Sequence, residues 1–256
     1  MAAEPAVLVT RPAGQAAPLL DALTAAGFRA HHQPLLALAP LEELSAQSRQ
    51  ALQELDRYQH VIFISVNAVR FGLECIDDYW PQLPVGLHWY AVGSSTASLL
   101  AQRGLNPITP EKNMSSEGLL ALPGLQSVSR SRVLIVKGLG GRSTLRDGLL
   151  GRGARVDELA CYRRYCPALA PGELAQRLLQ WDIRAIALSS GDGLSNLLTL
   201  LSAEESTKFR DIVLIVPSRR VEQFAREAGF GRVVVAANAS DDAVLAALQH
   251  WQSGEY

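Results

Sequence analysis

The chain has 256 residues, 48% of them hydrophobic and 19% charged, a folding composition that excludes a disordered chain and allows one to two domains. Lysine and arginine total 24 against 25 aspartates and glutamates, a net charge of −1, which excludes bulk electrostatic binding to nucleic acid. Cys75, Cys161 and Cys166 are too few and too scattered for a disulfide framework, and their spacing is not that of metal ligands.

In chain order, short Val- and Ile-rich runs alternate with longer amphipathic stretches. AVLVT (6–10) leads into a helical pattern closed by Gly27, and HHQPLLALAP (31–40) is an extended piece bracketed by Pro34 and Pro40. HVIFIS (60–65) and WYAVG (89–93) follow, the second running into SSTASLLAQRG, and NMSSEGLLALPGL comes next. RVLIVK (132–137) opens a Gly-rich turn and a helix closed by Gly153, and DELACYRRYCPALAP (157–171) is again extended and ends in prolines. AIALS (185–189), IVLIVP (212–217) and RVVVAA (232–237) complete the set. Nearly continuous apolar runs are strands covered on both faces, and strand, polar loop and helix in repetition predict a parallel α/β sheet.

The chain also repeats itself. Ser65 and Ser189, Ser94 and Ser218, and Ser116 and Ser240 each stand 124 residues apart (189 − 65, 218 − 94, 240 − 116), all where a strand or loop enters a helix. Gly27 and Gly153 recur at 126 (153 − 27), as do the starts of the two extended pieces (157 − 31). Two related α/β units are therefore expected, joined through extended pieces that can pair as strands. His31 and His32 read as opening the first connector.

Each of these serines is by itself an N-cap. Loops at the carboxyl ends of parallel strands are also where α/β sheets bind ligands, beside helix N-termini that favour anions. Gly138, Gly140 and Gly141 with Arg142 form a turn that is neither a Walker motif nor a dinucleotide fingerprint. Around it Lys137, Arg142 and Arg146 are expected to cluster, the two arginines on one helical face, with Thr10 and Arg11 in the equivalent place at the first strand's end. No histidine stands in metal-ligand spacing and no G-x-S-x-G elbow is present, so neither a metal site nor serine esterase chemistry is expected. Tyr162, in the second extended piece, holds a phenol, neutral at pH 7 and able to donate a proton; by sequence physics alone it reads first as an aromatic packed in a strand beside Tyr165.

Taken in order, VLVTRPAGQAAPLLDALTAAGF, VIFISVNAVRFG, YAVGSSTASLLAQRG, SSEGLL, VLIVKGLGGRSTLRDGLLGRGARVDELACYRRY, AIALSSGDGLSNLL and SDDAVLAAL resemble the uroporphyrinogen-III synthases of bacteria over nearly the whole chain. The resemblance implies two α/β domains between which the chain crosses: 1–35 with 168–256, then 41–160, with 36–40 and 161–167 as connector strands. It implies a cofactor-independent lyase of tetrapyrrole and heme biosynthesis that closes hydroxymethylbilane to uroporphyrinogen III, inverting ring D and losing water; a monomer is the default expectation. It marks Tyr162 as proton donor to the leaving hydroxyl, and Ser65, Asn67, Ser94, Thr96, Ser189, Ser190, Gly191 and Ser218 as substrate contacts. Pro217 and Arg219 depart from the family pattern around Ser218. Thr10, Arg11, Lys137 and Arg142 are further expected contacts, and porphobilinogen deaminase a transient partner. A two-lobed anion-binding or sensory module is the alternative, and a sugar-phosphate or nucleotide transferase is disfavoured for want of a phosphate loop. The amino terminus lacks a charged region ahead of an apolar core, and no run reaches about 18 apolar residues, so a soluble cytoplasmic protein without a membrane partner is expected.

Overall fold

The computed structural model describes residues 4–254. In chain order it forms β1 (Ala6–Val9), α1 (Ala17–Ala25), β2 (Arg29–His32), β3 (Ala37–Pro40), α2 (Ala46–Gln53), β4 (His60–Phe63), α3 (Val66–Asp77), β5 (His88–Ala91), α4 (Ser94–Gln102), α5 (Ser116–Ala121) and α6 (Pro123–Gln126). There follow β6 (Arg132–Gly138), α7 (Thr144–Gly151), β7 (Arg155–Tyr165), α8 (Glu173–Gln180), β8 (Ile183–Ala187), α9 (Gly191–Leu200), α10 (Ala203–Lys208), β9 (Val213–Val216), α11 (Arg219–Glu227), β10 (Val233–Val235) and α12 (Asp241–Gln252).

The chain divides into two compact units, one made of residues up to Ala37 with Tyr165 onward, the other of Leu38–Arg164. The first holds a five-stranded sheet in the order β10-β9-β8-β1-β2, so that the opening strand is completed by carboxyl-terminal ones, and the second holds β3-β7-β6-β4-β5. All the registered pairs run parallel.

Both faces of each sheet are covered, as the continuous apolar runs require. Alternate residues of one strand point to opposite faces. In the second unit Leu134 and Val136 pack with α3 residues Val69 and Leu73, while Val133 and Ile135 pack with Leu145 and Leu149 of α7. In the first, Leu8 and Ile186 pack with Leu194 of α9, and Val7 and Val9 with Leu19 and Leu23 of α1.

The repeat is visible in the strand registers, and it corrects the interval read from the sequence. Ala6 faces Arg29 as Arg132 faces Arg155, both partners moved by 126 (132 − 6, 155 − 29). His60 faces His88 as Ala185 faces Val213, both moved by 125 (185 − 60, 213 − 88). The helix caps follow the same 125: Ser65 with Ser190, Gly93 with Ser218, and Ser115 with Ser240. An interval of 124 picks the residue after or before the cap, namely Ser189, Ser94 or Ser116; the cap is the one whose extended backbone places it ahead of the first helical residue. Even Ile108, bridged to Tyr90, stands where β10 pairs with β9 in the other unit. His31 and His32, expected to open a connector, instead end β2, where His31 stacks on Trp181 at 4.8 Å.

Helix α3 sits hard against β6. A methyl group at Gly72 would lie 2.3 Å from Val136 Cγ1 and 3.3 Å from Phe63. Gly72→Ala gains about 0.5–1 kcal/mol of helix preference but forces overpacking that costs about 1–3 kcal/mol. A net loss of stability, read as a lower urea midpoint, is the expected outcome; a rise would show that α3 is free to move away.

Candidate active site

Counted in its own chain order, the first unit's sheet runs 2-1-3-4-5, and the neighbouring strands β1 and β8 send their following helices to opposite faces. A crevice opens beyond the carboxyl ends of strands at such a point. The second unit repeats the arrangement with β6 and β4, followed by α7 and α3.

In the second unit the crevice holds a pair of hydroxyls. Ser65 has extended backbone and closes the N-terminus of α3, its Oγ accepting a hydrogen bond from the Ala68 N–H at 3.0 Å. The same oxygen lies 3.2 Å from the Tyr162 hydroxyl, with either group free to donate. The Tyr162 ring is buried and stacks on Phe71 of α3, centroids 5.3 Å apart at 23°. Asn67 stands half-buried in the first turn of α3. Tyr165, the neighbouring candidate for the phenol role, ends β7 with 39% of its surface exposed.

A break in register puts Tyr162 on this face. Val136 pairs with Leu159 and Lys137 with Ala160, but Gly138 pairs with Tyr162, leaving Cys161 as an extra residue. Strict alternation would have sent Tyr162 to the α7 side with Ala160; the bulge returns it to the α3 side with Leu159 and Cys161. The Cys161 thiol donates to the Lys137 carbonyl at 3.3 Å, and burial pushes its pKa up to about 12, which keeps it a neutral donor.

Lys137, an expected contact, alternates to the opposite face of β6 and lies buried in an ion pair with Glu158, Nζ to Oε1 2.9 Å. Arg142 and Arg146 do not share a helical face. The left-handed Gly140 and Gly141 turn the chain ahead of α7, leaving Arg142 outside the helix, 3.9 Å from Glu117, while Arg146 pairs with Asp147. The Glu117 carboxyl is held below its ordinary range by the Ser115 hydroxyl, its own backbone N–H and Arg142. Ser94 is the first residue of α4 and exposed, its hydroxyl 3.9 Å from the Met114 sulfur, and Thr96 is buried in the same helix. The last junction of this unit is capped by Ser115, not Ser116.

In the first unit Thr10 and Arg11 are engaged within the fold. The buried Thr10 hydroxyl donates to the Ala187 carbonyl at 2.7 Å, tying β1 to β8. Arg11 pairs with Asp241 and donates to the Ala239 carbonyl at 2.7 Å, fastening the start of α12. Ser190 caps α9 through the Gly193 N–H at 3.2 Å, with Ser189 and Gly191 on either side. Ser218 holds the cap position of α11 but makes no side-chain capping bond. Moved back by 126, Tyr162 and Gly138 correspond to Leu36 and Pro12, so the repeat gives the first unit no phenol at this place.

Sequence reasoning did not mark Phe71 or Cys161 as part of the site. A bulge has no pattern of its own, although a glycine at the end of a strand beside an aromatic-rich one is a signal for it. Among the described residues no group of His, Cys, Asp and Glu is arranged to hold a metal, and no helix is long and apolar enough to cross a membrane.

A family model described as uroporphyrinogen-III synthase HemD matches residues 17–246. The uroporphyrinogen-III synthase of Escherichia coli strain K12 is 34% identical over 248 residues, covering 95% of this chain and 99% of that protein. That of Salmonella typhimurium strain LT2 is 33% identical over 246 residues, with the same coverage of 95% and 99%. The fold matches the crystal structure of uroporphyrinogen-III synthetase from Helicobacter pylori 26695 at a TM-score of 0.63 and 14% identity, covering 97% of this chain and 99% of that one. It also matches a mutant uroporphyrinogen III synthase from the extremely thermophilic bacterium Thermus thermophilus at 0.60 and 17%, covering 97% and 98%.

Two serines at helix cap positions, Ser65 of α3 and Ser218 of α11, should respond differently to truncation. Ser65→Ala removes a cap and is expected to cost about 0.5–2 kcal/mol, whereas Ser218→Ala should stay within about 0.5 kcal/mol. Urea midpoints of the two variants check this; equal losses would contradict the capping assignment.

Proposed function

This chain belongs to the uroporphyrinogen-III synthase HemD family, a family of lyases of porphyrin biosynthesis, and from that premise we propose how its residues carry the reaction. The enzyme closes hydroxymethylbilane to uroporphyrinogen III with inversion of ring D and loss of water. The observation that supports a chemical role is the contact between the Tyr162 and Ser65 hydroxyls at the mouth of β4 and β6.

The hydroxyl of the bilane's terminal hydroxymethyl group is a poor leaving group until it is protonated. The Tyr162 phenol donates that proton, the C–O bond breaks, and water departs as the nitrogen lone pair of ring A, the pyrrole that bears the hydroxymethyl group, fills in behind it, leaving an azafulvenium cation on that ring. The substituted carbon of ring D then attacks, giving a spiro intermediate that reopens and recloses with the ring inverted. Aromatisation releases a proton, which restores the phenol. While Tyr162 is a phenolate, the Ser65 hydroxyl donates to it, and the positive end of α3 lies at the same place.

The substrate's eight carboxylates suit helix N-termini better than a strongly basic protein. The junctions at Ser65, Asn67, Ser94, Thr96, Ser189, Ser190, Gly191 and Ser218 supply such ends, each at a strand's carboxyl terminus. Thr10, Arg11 and Lys137, held in internal bonds, contribute to the shape and charge around these loops, while exposed Arg142 faces solvent for a carboxylate. Because free bilane closes spontaneously to isomer I, transient contact with the supplying porphobilinogen deaminase belongs to this reading, with both enzymes in the cytoplasm. None of the relatives above is described as a sensory or anion-binding module.

The test feeds the protein bilane made in situ by the deaminase, oxidises the products and separates the uroporphyrin isomers. Predominantly isomer III is expected; only isomer I from folded protein would end the proposal. Tyr162→Phe should fold normally and lose about 10²- to 10⁴-fold in turnover, and unchanged turnover would pass the acid role to substrate or water.

A further inference from the structure

We infer that Gly138, together with the bulge at Cys161, is a positioning residue for the reaction: it leaves open the path by which the Tyr162 ring crosses β6 to reach Ser65. The inference rests on Tyr162 being the proton donor. Tyr162 belongs to β7 and Ser65 follows β4, with β6 between them. Two strand spacings, about 9.5 Å, must therefore be spanned by a phenol and a serine hydroxyl together. The ring lies over the backbone of β6, at the residue it is paired with, which is Gly138.

Any other residue there would occupy the ring's place. A Cβ at Gly138 would stand 2.6 Å from Tyr162 Cζ, 2.8 Å from Cε2 and 3.0 Å from the hydroxyl oxygen. The contact falls on the hydroxyl end of the ring, so the displaced part is the part that reacts. Phe71 stacks on the ring, and the Leu139 N–H donates to the Tyr162 carbonyl at 2.7 Å, fixing backbone to backbone at the same level. With both held, the ring has no room to yield to a methyl group without moving its hydroxyl away from Ser65. The sequence groups Gly138 with the Gly-rich turn, but it is the last residue of β6, and left-handed backbone occurs at Gly140 and Gly141 and not at Gly138. Its service is the missing side chain.

The experiment is a double-mutant cycle on the full chain with bilane generated in situ: wild type, Gly138→Ala, Tyr162→Phe and the double variant, each checked for fold by circular dichroism. In the wild-type background Gly138→Ala is expected to lower kcat by about 100-fold with little change in KM, the cost of misplacing a reacting group by about an ångström. In the Tyr162→Phe background the same change should lower kcat no further, since there is no hydroxyl left to position. An equal fall in both backgrounds would make Gly138 merely structural and overturn the inference, as would no fall in either. Tyr162→Phe turning over like wild type would instead remove the proton-donor reading, and this inference with it, so the two failures are told apart by that single variant. Should Gly138→Ala not fold, Phe71→Leu replaces it in the same cycle, with the same expected and contrary results.

Discussion

A parallel sheet spaces its strands at about 4.8 Å, and the side chains on one face of a strand ordinarily screen its two neighbours from each other. In the second unit that screen is absent at one point. The glycine that ends β6 lets a phenol from β7 lie across it, and the extra residue Cys161 turns that phenol to the correct face. The hydroxyl pair at the mouth of β4, the stacking on Phe71 and the proposed chemistry all depend on this local failure of alternation. It is held in place by ordinary forces: a buried neutral thiol bonded to a carbonyl, and an aromatic contact with the helix that Ser65 begins.

Around that point the molecule is conservative. Both units share four strands in one order, β2-β1-β8-β9 and β7-β6-β4-β5, with the same registers displaced by 125 or 126 residues. They differ at the crevice. Where the second unit has Gly138 and Tyr162 the first has Pro12 and Leu36, and there the Thr10 hydroxyl ties β1 directly to β8. Serine-capped helix N-termini recur at the strand ends of both units, while the Tyr162–Ser65 hydroxyl pair belongs to the second.

Much of this was legible in the sequence. Val- and Ile-rich runs such as VLIV and IVLIV announce strands buried on both faces, and AVLV, VIFI and AIAL each became one. The duplication was readable as well, but only to within one residue. Ser189–Ser190 and Ser115–Ser116 are doublets in which either serine satisfies the pattern, and only backbone geometry selects the cap. The fates of the cations were not readable. Arg11 finds its carboxylate at Asp241, at the far end of the chain, and Lys137 finds Glu158 through a parallel pairing that no local pattern reveals. Arg142 does not share a helical face with Arg146 because left-handed glycines delay the helix past it. The place of Tyr162 in an extended piece was readable, but its role came from resemblance alone, since a bulge is decided by packing between strands and not by the order of residues within one.

The central claim is that the Tyr162 phenol gives up its proton as the bilane's hydroxyl departs. Replacing Tyr162 by fluorinated tyrosines of graded acidity keeps the ring and its contacts while changing only the strength of the acid. Across that series the pH dependence of kcat for isomer III formation should lose its alkaline side at progressively lower pH as the phenol becomes more acidic, because the form that donates is the protonated one. A pH profile that stays in place throughout the series would contradict the account and leave Tyr162 a packing residue.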